Sequence, residues 1–144
     1  RNASAHDFDG YELDFTRFIW SFPLWREREL AQVMTDFVRN VRAGVNAVGD
    51  ERGRPYTLVV HVMDSVERSL NLGYDLETWL SEGLVDVLVA GMGSMPFTLD
   101  LDSWKARYRQ MLWMGGERIR RFQAAFLISP STNGTPSMTR VMSL

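Results

Sequence analysis

The chain has 144 residues, 45% hydrophobic and 24% charged, with no cysteine and a formal charge of −2. These values suit one folded domain with its own core, and they exclude wholesale disorder, disulfides, thiolate catalysis and cysteine-ligated zinc. The charge is unevenly spread, since residues 1–102 carry nine arginines against 17 carboxylates, a net −8, while residues 103–144 carry six arginines, Lys105 and one glutamate, a net +6.

The first periodic segment is GYELDF at residues 10–15. Tyr11, Leu13 and Phe15 alternate with Glu12 and Asp14, so a strand here sends both carboxylates to one face. TRFIWSFP follows as an aromatic loop, with Pro23 suited to a helix entry. From Trp25 to Val48 the spacing predicts a helix whose apolar stripe is Leu30, Met34, Phe37, Val41, Val45 and Val48. Gly49, Asp50, Gly53 and Pro55 then read as punctuation. TLVVHV at 57–62 is apolar enough for a strand buried on both faces of a parallel sheet. Asp64 or Ser65 is placed to cap a short helix, Asp75 to Glu82 predicts a second with Leu76, Trp79 and Leu80 together, and Gly83 suits its C-terminal cap. LVDVLVA at 84–90 predicts a third strand, closed by the glycine-rich GMGSMP, and Asp102 or Ser103 is expected to cap a helix from Trp104. Alternating strand and helix implies a parallel sheet covered by helices, as a barrel arc or as a doubly wound sheet.

In either arrangement ligands gather beyond the carboxyl ends of the strands. That rule selects Glu12 and Asp14, then His61 and Asp64, then Gly91 to Ser94. Like charges on one strand face raise one carboxyl pKa and suit a general acid, although arginines such as Arg17 also suit a plain ion network. His61 alternates with Val60 and Val62 and is expected either beside the carboxylates as a proton-transfer or hydroxyl-binding group, or as a core histidine. Trp20 and Phe22 are the candidates for stacking on a sugar ring, whereas Trp79 and Trp104 read as core. No HExxH, EF-hand, GxGxxG or GxxxxGK[ST] pattern occurs, so no metal or cofactor is expected. No run of eighteen apolar residues is present, and the basic residues after 103 are mixed with Met111, Trp113 and Phe122, so neither membrane nor nucleic acid is expected as a partner.

DFDGYELDFTRF at 7–18, MTDFVRNVR at 34–42, LVVHVMDS at 58–65 and GYDLETWLSEGLVDVLV at 73–89 together resemble the middle of bacterial glycosyl-hydrolase-like TIM barrels, over about residues 7–105. The resemblance implies a partial (β/α)₈ barrel of three βα units supplying strands four, five and six, with an acid/base carboxylate on the first of these strands. It implies a carbohydrate ligand and a retaining or inverting attack on a glycosidic bond. The expected site is then Glu12, Asp14 and His61 for the chemistry, with Arg17, Trp20 and Asp64 holding substrate; the second carboxylate would come from a later strand, which the chain is expected to lack. Against a chitinase-type DGxDxDxE strand, Asp9 and Gly10 are kept, Glu12 and Asp14 take the alternate acidic places, and Thr16 stands where the final Glu falls. Either Glu12 or Asp14 then acts as the acid, or the strand binds without cleaving. Residues 106–144 are expected to form an atypical basic tail, helical and then disordered, from a fragmentary or altered reading frame. An incomplete arc leaves strand edges open to self-association.

Overall fold

A computed structural model describes residues 7–91, 99–115, 121–124 and 142–143. The elements are β1 (Gly10–Asp14), α1 (Ala31–Arg52), β2 (Thr57–Val62), α2 (Val66–Asn71), α3 (Leu76–Ser81), β3 (Val87–Ala90), α4 (Leu101–Gly115), β4 (Arg121–Ala124) and β5 (Met142–Ser143). Strands β1, β2 and β3 form a parallel sheet in chain order, extended by β4 in parallel and by β5 antiparallel. The architecture is therefore mixed α/β, as the alternation of periods requires. A closed barrel is not formed among the described residues, where the sheet runs openly from β1 to β5.

The register aligns Leu13 with Val60 and Val60 with Leu88, while Asp14 aligns with His61 and His61 with Val89. Leu58, Val60, Val62, Leu88 and Ala90 are buried and share a cluster with Met34, Val38 and Val45 of α1, Leu76, Trp79 and Leu80 of α3, and Trp104 and Tyr108 of α4. Burial of side chains this large stabilises by about 1.5–3 kcal/mol each, so this one face holds the fold together. Thr57, Val59, Val87 and Val89, on the alternate face, are only half-buried. The expectation that TLVVHV is buried on both faces holds fully for the face of Leu58, Val60 and Val62, on which the clustered helices pack, and only in part for the other. His61 is the exception on the other face, at 2% exposed.

Helix α1 begins at Ala31, not Trp25, and continues through Gly49 and Asp50 to Arg52, where Gly53 turns the chain at φ 64°. Trp25 has φ 69°. A left-handed residue cannot continue a right-handed helix, so the turns at 24–30 stand apart from α1. The buried stripe is also rotated: Ala31, Met34, Thr35, Val38 and Val45 are inside, while Phe37 is exposed. Thr35 explains the rotation. Its hydroxyl accepts the Trp79 indole N–H at 3.0 Å and donates to the Ala31 carbonyl at 3.0 Å, which fixes the helix face turned toward α3. Arg42, half-buried, donates to the Leu84 carbonyl at 2.8 Å and to Asp86 at 2.6 Å, and Asp86 in turn accepts from the Leu58 amide at 2.8 Å. That chain of bonds locks α1 to the starts of β2 and β3.

Ser65 caps α2 and Asp75 caps α3, each accepting from the amide three residues on. The α4 cap is Asp100, not Asp102 or Ser103: Asp100 accepts from the Ser103 amide at 3.0 Å and from its hydroxyl. Helix α4 runs through residue 105 to Gly115, and β4 adds to the sheet beyond it. No described helix is long and apolar enough to cross a membrane.

Candidate functional site at the carboxyl ends of the strands

Period two puts Glu12 and Asp14 on the same face of β1, and the parallel register brings His61 of β2 beside Asp14. His61 Nδ1 lies 3.7 Å from Asp14 Oδ1 and 3.9 Å from Glu12 Oε1. The carboxylates are open to solvent, with side chains 45% and 55% exposed, whereas the imidazole is 3% exposed. Its Nε2 is 3.0 Å from the Gly91 carbonyl just after β3. A carbonyl only accepts, so Nε2 carries the hydrogen and Nδ1 is left facing the two carboxylates. Three successive strands therefore contribute to one corner at their carboxyl ends.

Thr16 decides how Asp14 behaves. Its amide donates to Asp14 Oδ1 at 2.8 Å and its hydroxyl to the same oxygen at 2.7 Å. Partial burial is the largest single influence on this carboxyl and acts to raise its pKa. The two Thr16 hydrogen bonds, with the charges of His61 and Arg17, act oppositely and together hold it below the usual aspartate value. Asp14 is thus kept as a carboxylate. The residue that the chitinase alignment marked as a missing acid serves instead to hold its neighbour charged.

The loop after β1 is anchored on one side and bare on the other. Phe15 stacks on Tyr74 at 4.8 Å and meets Trp79 at 5.8 Å between ring centroids. The Tyr74 hydroxyl donates to the Ile19 carbonyl at 3.1 Å and lies 3.1 Å from Ser21 Oγ, which donates to it, a phenol having one hydrogen. Phe22 lies against Gly73 at φ 85°, where a Cβ would sit 2.7 Å from the Phe22 ring. The outward residues are Phe18, Trp20, Leu24 and Trp25, exposed by 84%, 71%, 67% and 94%. Of the two stacking candidates, Trp20 is free and Phe22 is not; Phe22 packs against the core cluster.

The remaining expected residues divide. Arg17 is exposed and acts on Asp14 only through space, with no ion pair or hydrogen bond to either carboxylate. Asp64 does not join the corner; it pairs with Arg68 at 3.1 Å and lines a separate cleft of about 560 Å³ with Leu70, Leu76 and Trp104. Trp79 and Trp104 are core, at 0% and 2% exposed. Beyond Gly91, the GMGSMP loop lies outside the described residues, as do His6 and most of the tail after 115. Gly91 was among the strand-end positions selected from the sequence, while Thr16 and Tyr74 were missed as site residues. The Asp-x-Thr spacing at a strand end is a legible sign of Thr16, being the local pattern by which an Asp side chain bonds two residues on. No family model matches the chain, and no curated protein matches it either.

Proposed function

We propose that this chain presents a carbohydrate site of glycoside-hydrolase type on an arc of a (β/α)₈ barrel. The observation that carries the reading is the convergence of Glu12, Asp14 and His61 at the carboxyl ends of adjacent parallel strands. Two further features support it. A doubly wound sheet reverses its strand order near the first strand and carries helices on both faces, whereas β1, β2 and β3 follow in order with the clustered helices on one face. Trp20 stands exposed on the loop that leaves β1, and a flat indole suits the apolar face of a sugar ring.

Since Asp14 is held as a carboxylate, the proton-donor role falls to Glu12, to which no described residue donates. Asp14 stays charged and stabilises positive charge developing at the anomeric carbon. His61 serves beside them as a hydroxyl-binding or proton-transfer group, and Arg17 and Trp20 border the bound ring. The test is a screen of the protein against aryl glycosides and polysaccharides, for turnover and for binding, with Glu12→Gln and Asp14→Asn alongside. Loss of turnover or binding in both variants is expected; turnover and binding unchanged from the parent in both would remove these residues from the site. The alternative of a self-associating scaffold has one observation in its favour: β1 is an edge strand with a single neighbour among the described residues. Sedimentation of the chain as a monomer at every concentration tested would dismiss it.

A further inference from the structure

Trp20 is 71% exposed, so packing of its own side chain does little to fix where the indole stands. Its place is set from either side. The carbonyl of Ile19, the residue before it, accepts from the Tyr74 hydroxyl at 3.1 Å. The hydroxyl of Ser21, the residue after it, donates to the same phenolic oxygen at 3.1 Å. One phenol thus pins both neighbours of an outward indole, using its single hydrogen on one side and a lone pair on the other. Tyr74 cannot follow the loop outward, because it is fully buried and shares the core cluster with Leu76, Trp79 and Leu80. The same short connection between α2 and α3 carries both ends of the loop. Phe15 stacks on the Tyr74 ring, and its amide donates to the His61 carbonyl at 3.0 Å. At Gly73 the missing side chain admits the Phe22 ring and the Glu27 carbonyl, each 2.7 Å from where a Cβ would stand. The start, the middle and the end of segment 15–27 therefore rest on two residues, Gly73 and Tyr74.

We infer that Tyr74 is a positioning residue, which acts through the loop after β1 by holding Trp20 outward and ordered before a ligand arrives. The hold on Trp20 stands on the two hydrogen bonds; that the ligand is a saccharide rests on the function proposed above. A loop ordered in advance loses less conformational freedom on binding, so the tether acts on affinity. Removing the phenolic hydroxyl leaves the ring and its stack in place and frees only the backbone on either side of Trp20.

Nitrogen-15 relaxation of the whole chain measures the tether directly, and calorimetry with cellohexaose and chitohexaose measures its consequence. Tyr74→Phe removes the hydroxyl; Ser21→Ala removes one of the two bonds at an exposed residue, where folding is not at stake. In the parent the amides of residues 19–21 are expected to be as rigid as those of β1, with order parameters of about 0.85. They are expected to fall below about 0.6 in Tyr74→Phe and to lie between in Ser21→Ala. Affinity for a saccharide that binds the parent is expected to fall about three- to tenfold in Tyr74→Phe. That loss is expected to vanish in a Trp20→Ala background, which a general weakening of the fold would not bring about. Unchanged order at 19–21 in Tyr74→Phe overturns the tether. Lowered order with unchanged affinity, or an equal loss of affinity with and without Trp20, overturns Trp20 as the group through which Tyr74 acts on a ligand. Binding of neither saccharide overturns the carbohydrate half of the inference, and the relaxation data then uphold or overturn the hold on Trp20 by themselves.

Discussion

Replacing Thr35 by Val keeps the shape of a buried side chain and removes only its hydroxyl. Thr35 is 1% exposed and Trp79 is 0% exposed, and the hydroxyl is the acceptor for the indole N–H at 3.0 Å. Because Trp79 is wholly buried, its indole N–H is left unpaired in the core, which costs about 1–3 kcal/mol. The Ala31 carbonyl keeps its helical partner, so losing the Thr35 donation costs little. A loss of about 2 kcal/mol is expected, and for a chain of this size that lowers Tm by roughly 4–8 °C. The decisive comparison is the same substitution in a Trp79→Phe background, where no indole N–H remains to be stranded. There Thr35→Val is expected to cost about 0.5 kcal/mol or less, giving a coupling near 1.5 kcal/mol. Urea unfolding of the four proteins measures it. An equal cost of Thr35→Val in both backgrounds would refute the claim that Trp79 selects the buried face of α1.

Thr16→Val removes one of the two hydrogen bonds that keep Asp14 ionised, so the Asp14 pKa is expected to rise toward the ordinary aspartate value in a carbon-detected NMR titration. Because the folded pKa is depressed, the stability Asp14 contributes is fully present above its unfolded pKa and is lost as pH falls through the lower, folded one. The variant should therefore lose stability relative to the parent near neutral pH and converge with it in strong acid; a constant difference across pH would contradict the assignment. Two glycines give opposite outcomes. Gly73→Ala forces φ 85° on a side chain and drives its Cβ to 2.7 Å from the Phe22 ring and the Glu27 carbonyl, so a cost above about 2 kcal/mol is expected. Gly44→Ala, inside α1 with nothing within 4 Å of its new Cβ, is expected to stabilise by about 0.5–1 kcal/mol in the same unfolding assay.

The strands and the order of elements were legible because burial leaves a period: Leu58, Val60 and Val62 repeat at two, and Met34, Val38, Val41 and Val45 repeat at three and four. The rotation of α1 was not legible, for a physical reason. Phe37 and Val38 are both apolar and adjacent, so two stripes about 100° apart satisfy the same pattern. What separates them is a polar contact, the bond from Trp79 to Thr35, made across 44 positions of sequence. The start of α1 was misplaced for a related reason. Residues 25–30 have ordinary helix-forming composition, yet the backbone turns at Trp25 and again before Ala31, where the chain must leave the anchored loop to cross the sheet.

The site divides along the same line. Period two alone puts Glu12 and Asp14 on one face, and the alternation in TLVVHV puts His61 with them once the two strands pair in register. Their roles depend on donors that periodicity does not reveal. Asp14 is held ionised by Thr16, two residues on, and His61 has its tautomer set by Gly91, thirty residues on. Asp64 shows the converse: it shares the strand-end placement that selected it, but Arg68 stands four residues later on the next helical turn and takes up its charge. A carboxylate at the carboxyl end of a parallel strand is thus a candidate by position, and whether it remains available to a ligand is decided by the nearest donor. Among the described residues no hydrogen bond is donated to Glu12 and only one oxygen of Asp14 is filled, which separates the corner from carboxylates such as Asp64 that an arginine takes up.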